Sequence, residues 1–253
     1  MAIHTPPITP NPSPSTRSPS PNPTSPSQTS IEEPPTLCCI FSDLPDSTEL
    51  WELSEPLMAP SHNIFYTTMR TLIPRFSGTE VKNLGDGFFI TFPSAILALR
   101  FCLSVQRTLS AITWPKKIVE FRRQKDLEKG IPPAKGKGIT TRLGIHFGAP
   151  YESHIDPVSQ RMDYHGNMVN LAARIMAQAK GDEIAVSDAV ILALIDENFG
   201  SDLGGAVVLD RVQALDKVLR DEGETGFVVV RKGYSKLKGI AHPHFITVIR
   251  LKR

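Results

Sequence analysis

The run Val81–Phe92 reads as two short strands joined through the turn Gly85-Asp86-Gly87, and it narrows the folds open to this chain. Glycines on either side of a polar residue suit a tight reversal, because they accept backbone angles that other residues avoid. A second apolar run, Leu37-Cys38-Cys39-Ile40-Phe41, closes on Asp43 just ahead of a helix start. If the two segments are neighbours in one sheet, Asp43 and Asp86 meet over its edge. Carboxylates so paired suit two Mg²⁺ ions, and phosphoryl transfer uses such ions to neutralise the attacking oxygen, the phosphate and the leaving group. Taken singly, each acid reads better as an ordinary turn residue; it is their pairing that points to metal ions.

The rest of the chain supplies helices for such a sheet. Asp46 or Ser47 is placed to cap a short helix, and Asp46 with Glu49 has the spacing of a capping box. A helix is expected over Ala59–Arg75, with Ile64, Met69 and Leu72 towards a core, and another from Ser94 through Leu109, where Ile96, Leu99, Leu103 and Gln106 recur near the 3.6-residue period. Residues 116–138, rich in glycine, proline and charge, read as an exposed connection. Further strands are expected at Thr140–Gly148, Ile184–Val186, Phe227–Arg231 and Phe245–Leu251, with helices at Met168–Ala179 and Asp188–Asp196. Such alternation points to an α/β or α+β class with helices packed on one sheet.

Composition sets the domain plan. Half of the 22 prolines lie in residues 1–35, a stretch without apolar periodicity that is expected to be disordered, which leaves one domain over 36–253. With Lys+Arg 28 against Asp+Glu 26, net charge +2, no global field points to nucleic acid or membrane. No window has the long uncharged apolar run of a membrane span, although peripheral membrane association stays open. Three cysteines, two of them adjacent in an apolar strand, argue against a disulfide framework and for a reducing, cytoplasmic setting, with Cys38, Cys39 and Cys102 as small core residues.

Several polar residues stand out. Lys82, in the first strand of the hairpin, is either an edge lysine or a donor to a purine acceptor atom. In Met162-Asp163-Tyr164-His165-Gly166-Asn167-Met168-Val169-Asn170-Leu171-Ala172-Ala173-Arg174, Asn170 and Arg174 are i and i+4 and share a helical face. Asn170 there can orient a ribose, Arg174 can reach a phosphate gathering charge, and Asp163 can accept from an exocyclic amino group. Lys236 and Lys238 sit in a loop before the last strand. No His/Cys spacing makes a zinc site, so His146, His154 and His165 read as structural or surface residues.

Assembled in this order, the blocks Phe41-Ser42-Asp43-Leu44, Glu80-Val81-Lys82 with Gly85-Asp86-Gly87-Phe88, Arg142-Leu143-Gly144-Ile145-His146, the Met162–Arg174 segment and Lys236-Leu237-Lys238-Gly239 resemble a class III nucleotidyl cyclase catalytic domain, most of all that of fungal adenylate cyclases. The resemblance implies an α+β domain with a ferredoxin-like β-α-α-β-β-α-β core, its helices on a mainly antiparallel sheet, working as a head-to-tail homodimer. It implies that ATP is converted to 3′,5′-cyclic AMP and pyrophosphate in intracellular signalling. Asp43 and Asp86 match the metal ligands, for two Mg²⁺ or Mn²⁺ ions per active site. Lys82 and Asp163 match the adenine-selecting pair, Asn170 the ribose-orienting residue and Arg174 the transition-state arginine. Lys238 matches the triphosphate lysine, with Lys236 a close rival. Pro45 and His165 depart from the pattern. The alternatives are a guanylate cyclase, should His165 reshape the purine pocket, and a catalytically inactive module of the same fold.

Overall fold

The computed structural model describes residues 35–133, 136–200 and 211–252. The Pro/Ser-rich tail expected over residues 1–35 lies, but for Pro35, outside the described residues. In chain order the elements are β1 (Leu37–Asp43), α1 (Ser47–Leu53), α2 (Glu55–Arg75), β2 (Thr79–Asn83), β3 (Phe88–Phe92), α3 (Ala95–Ala111), α4 (Lys116–Glu128) and β4 (Arg142–Gly148). There follow β5 (Glu152–Ile155), β6 (Met162–His165), α5 (Asn167–Met176), β7 (Glu183–Ser187), α6 (Asp188–Phe199), α7 (Arg211–Asp221), β8 (Phe227–Ser235) and β9 (His244–Leu251). One sheet runs β2-β3-β1-β4-β7-β9-β8, and β5-β6 form a separate two-stranded ribbon. The first four strands of the sheet pair antiparallel and make the ferredoxin-like core, with α4 inserted before β4. Only β4–β7 runs parallel among the sheet's described pairings.

Strand alternation divides the apolar residues between two layers. Cys38, Ile40, Phe88 and Ile90 face the large core under α2, α3, α6 and α7. Cys39, Phe89 and Val81 face the other way, where they meet Met168 and Ala172 of α5. A sheet covered on both faces explains why β1 is apolar from Leu37 to Phe41. All three cysteines are buried free thiols, and burial pushes Cys39 up to about 12. Helix α5 comes so close to β4 that a Cβ on Gly144 would lie 2.2 Å from the backbone nitrogen of Met176. Among the described residues no single helix is long and apolar enough to cross a membrane.

Several expectations need correction. Residues 116–128 are a helix, α4, rather than part of an exposed connection. Ile118, Arg122 and Asp126 recur at i, i+4 and i+8 and form its buried face. Two of those three are charged, and each has a partner: Arg122 donates to Asp46 Oδ2 and the Pro45 carbonyl, both at 2.9 Å, and Asp126 meets Lys137 at 3.1 Å. The capping box does not form, because Asp46 has a left-handed φ of 65° and gives its carboxylate to Arg122 and Lys129. Helix α2 begins at Glu55, before Ala59, since Pro56 lies in the first turn where its missing N–H costs little. In α2 the residue turned to the core is Phe65; Ile64 is 38% exposed.

The buried cation of α4 makes a measurable difference. Removing one partner of a buried ion pair typically costs about 3–5 kcal/mol, whereas an exposed pair contributes about 0–1 kcal/mol. Arg122 is 3% exposed, and Lys129 also reaches Asp46 from an exposed position. Arg122→Ala is therefore expected to lower stability by about 3 kcal/mol in urea unfolding, against less than about 1 kcal/mol for Lys129→Ala. Equal losses would assign Arg122 no special part in docking α4.

Candidate active site

The end of β1, the hairpin tip and the start of α1 converge at one edge of the sheet. In the β1–β3 register Ser42 stands opposite Phe88, and Asp86, in the turn beyond it, lies close enough for its charge to act on Asp43. The Phe88 N–H donates to Ser42 Oγ at 2.9 Å, and a Cβ on Gly87 would fall 2.1 Å from the Ser42 carbonyl oxygen. On the outer side, the Tyr66 hydroxyl of α2 lies 2.5 Å from Asn83 Oδ1 and 2.7 Å from the Gly85 carbonyl, which braces the turn. Ser47, the first residue of α1, donates its hydroxyl to Asp86.

Asp43 is half-buried. Burial raises its carboxyl pKa, Arg142 draws it back down, and the negative charges of Asp86 and Asp46 push it up, leaving it above the usual value. Arg142 stands opposite Asp43 in the β1–β4 register and binds Asp43 Oδ2 through Nη2 at 2.5 Å and Nε at 2.7 Å. Sequence reasoning gave no role to Arg142 or to Ser47 as neighbours of the two acids. Their positions become visible only with the strand register and the α1 start in hand.

A second constellation forms where the ribbon meets β2. Lys82 Nζ lies 2.5 Å from Asp163 Oδ2, and the Tyr164 N–H donates to Asp163 Oδ1 at 2.8 Å. Asp163 is 5% exposed; burial opposes its charge, but Lys82 and the Tyr164 amide outweigh it and hold the carboxyl below its ordinary value. Lys82 is not the buried lysine that a strand interior would make costly: its side chain is 46% exposed, with only its ammonium drawn to Asp163. Glu80 fastens the ribbon further, accepting from Arg70 of α2 at 2.9 Å and from Arg161 at 3.2 Å.

Asn170 and Arg174 lie one turn apart on the exposed side of α5, whose Leu171, Ala172 and Ile175 face inward. Lys236 and Lys238 flank the buried Leu237, which packs with Leu171 and Ile175 and ties their loop to α5. Among the described residues, no hydrogen bond or ion pair joins Asp43 or Asp86 to Lys82, Asp163, Asn170, Arg174 or Lys238. The expected site residues thus fall into two groups within one chain, Asp43 and Asp86 in one and Lys82, Asp163, Asn170, Arg174 and Lys238 in the other. A cavity of about 420 Å³, walled by Trp114, Gln106, Thr140 and Lys180, contains none of them.

The histidines divide. His146 behaves as a structural residue, its Nδ1 lying 2.8 Å from Ser187 Oγ, and burial together with His244 pushes it down to about 4. His154 and His165 are exposed surface residues, as expected, but they are not isolated: their rings stack at 5.1 Å beside Asp163. Their distance in sequence hides this; the ribbon brings them together.

A family model for the adenylate and guanylate cyclase catalytic domain matches residues 30–230. The adenylate cyclase of Podospora anserina is 36% identical over 215 residues, covering 83% of this chain and 10% of that protein. That of Schizosaccharomyces pombe is 32% identical over 220 residues, covering 85% and 12%. The chain thus spans about a tenth of the length of these fungal relatives. Among solved structures, a Trypanosoma brucei adenylate cyclase in its monomeric state aligns with TM-score 0.68 at 23% identity, covering 88% of this chain and 93% of the other. The adenylyl cyclase CyaB from P. aeruginosa aligns at 0.56 and 21%, covering 86% and 95%. At such identities the structural matches speak to the fold alone.

The contact at the hairpin tip can be tested directly. Gly85 has a φ of +85° but open space around its Cβ position, whereas Gly87 would clash with the β1 backbone. Gly85→Ala is expected to cost about 1 kcal/mol, the usual penalty for a side chain in the left-handed region. Gly87→Ala should cost more, about 2–3 kcal/mol, as the tip is forced off Ser42. Thermal unfolding of the two variants side by side would measure the difference.

Proposed function

The chain belongs to the adenylate and guanylate cyclase catalytic-domain family, and we propose that it converts ATP to 3′,5′-cyclic AMP and pyrophosphate at sites shared between two copies. The observation that carries the choice of ATP is the Lys82–Asp163 pair. A donor and an acceptor side by side match the adenine edge, with Lys82 donating to ring N1 and Asp163 accepting from the 6-amino group. Guanine reverses the amino group for an oxo acceptor, which faces the Asp163 carboxylate unfavourably.

Asp43 and Asp86 fit a hard divalent cation. Both offer oxygen ligands at one edge, and burial, with a smaller contribution from the charges of Asp86 and Asp46, raises the Asp43 carboxyl, an unfavourable placement that such an ion relieves. Mg²⁺ or Mn²⁺, two per site, would supply charge neutralisation at the ribose 3′-oxygen and along the triphosphate. The remaining work falls to this chain's other residues. Asn170 orients the ribose so that its 3′-oxygen lies in line with the α-phosphorus and the departing pyrophosphate oxygen. The 3′-hydroxyl gives up its proton to solvent as the new O–P bond forms and the bond to the pyrophosphate oxygen breaks, and Arg174 meets the charge gathering on the α-phosphate. Lys238, with Lys236 next to it, holds the leaving pyrophosphate.

Two groups without a polar contact inside one chain support a homodimer in which each site takes its acids from one copy and its base, ribose and phosphate contacts from the other. The ribbon supports it as well. The cross-strand pair Ile155 and Met162 is 60% and 38% exposed, an apolar surface suited to a second copy.

Asp43→Asn and Asp86→Asn are each expected to lower ATP turnover by about 10² or more, with folding intact by circular dichroism. ATP is expected to be turned over in preference to GTP; equal or faster GTP turnover would reject the base assignment. Mixing inactive Asp86→Ala and Lys82→Ala chains should restore roughly a quarter of wild-type activity, since half of randomly paired dimers regain one complete site of two. Mixed dimers without recovery would argue against shared sites.

A further inference from the structure

The β5–β6 ribbon gathers three metal-binding side chains on one face. His154 stands directly opposite Asp163 in the antiparallel register, and His165 lies two residues beyond Asp163, so all three project to the same side. One ligand atom from each lies within 4.8 Å of the others. A tetrahedral site with bonds of about 2.0–2.1 Å needs ligand atoms roughly 3.3–3.5 Å apart. Small side-chain rotations close that difference, and His165 Nε2 is already 3.5 Å from Asp163 Oδ2. The two imidazoles are exposed and open to an arriving ion, while Asp163 is buried and held by the Tyr164 N–H through its other oxygen. An outer hydrogen bond of that kind orients a ligating carboxylate.

We propose that His154, Asp163 and His165 form a binding site for a transition-metal ion of the zinc type, and that its occupation shuts the base-reading pair. Two imidazoles and one carboxylate favour Zn²⁺ and its borderline relatives over Mg²⁺ or Ca²⁺, which prefer oxygen ligands alone. The site is distinct in its residues and its chemistry from the Asp43–Asp86 edge. It takes the same oxygen, Asp163 Oδ2, that receives the Lys82 ammonium. A divalent ion and an ammonium cannot share that oxygen without strong repulsion, and the half-exposed Lys82 side chain is free to swing out. Zinc and the ordered Lys82–Asp163 pair therefore exclude each other. The metal site stands on the ribbon geometry alone, whereas its effect on turnover rests on the base-reading role proposed for Lys82 and Asp163.

The test uses the full chain and Zn²⁺ in competition with a chromophoric chelator, alongside ATP turnover at fixed Mg²⁺. Expected are one Zn²⁺ per chain at this site, affinity at least tenfold weaker in His154→Ala and in His165→Ala, and tighter binding in Lys82→Ala, where the competing ammonium is gone. His154 is exposed and has no part in turnover, so His154→Ala should keep basal activity yet need at least tenfold more Zn²⁺ for half-inhibition. Zn²⁺ affinity unchanged in both histidine variants would overturn the site. Unchanged affinity in Lys82→Ala, or inhibition that persists undiminished in His154→Ala, would overturn the exclusion. A chain that binds Zn²⁺ as described but never turns over ATP would reject the cyclase reading and leave the metal site standing.

Discussion

The hairpin tip is pressed against the end of β1 so tightly that position 87 has no room for a methyl group beside the Ser42 carbonyl. Much of the acidic edge depends on that approach. With the tip there, the Ser42 hydroxyl accepts from the Phe88 amide, the β1–β3 register is set, and Asp86 comes close enough for its charge to act on Asp43. The first residue of α1 completes the convergence through the Ser47 hydroxyl. Two like charges in a partly buried edge are unfavourable on their own, and Arg142, set opposite Asp43 by the other register of β1, offsets part of that repulsion. Strand β1 is thus the common reference for both neighbours, and a one-residue slip in either pairing would turn these side chains to the opposite face.

The ribbon answers to a different constraint. It lies outside the main sheet and is tied to β2 by charge: Glu80 to Arg161 and Lys82 to Asp163. A partly exposed ion pair contributes little alone. Here the less exposed member of each pair, Glu80 or Asp163, is held by more than one donor, which converts weak contacts into a defined placement. Below it α5 is seated by apolar packing and by the close approach at Gly144, so Asn170 and Arg174 are carried on a helix whose position against β4 leaves little slack.

Much of this was legible in the residues where one physical rule governed. The strands β1, β3 and β4, the hairpin turn and helices α3 and α5 follow from apolar periodicity and glycine placement, and the structure has them within a few residues of expectation. Rules failed where a polar group took an apolar group's part. The buried face of α4 carries Arg122 and Asp126, so its period is invisible to a hydrophobicity reading until Asp46 and Lys137 are known as partners. The same contact removed Asp46 from its expected cap. Residues 150–165 carried no assigned strand, because two short, polar, exposed strands have no buried stripe to announce them.

The sequence by itself determined most strands of the main sheet and several of its helices, which family the chain resembles, and which side chains are candidates for the chemistry, because these depend on residue type and local spacing. Only the tertiary structure decided who meets whom: Arg142 at Asp43, Ser47 at Asp86, Lys82 at Asp163, and two histidines around that same carboxylate. Those meetings depend on strand register and on the docking of a ribbon far along the chain. Such long-range pairings are set by the packing of the whole domain, and local composition carries no record of them.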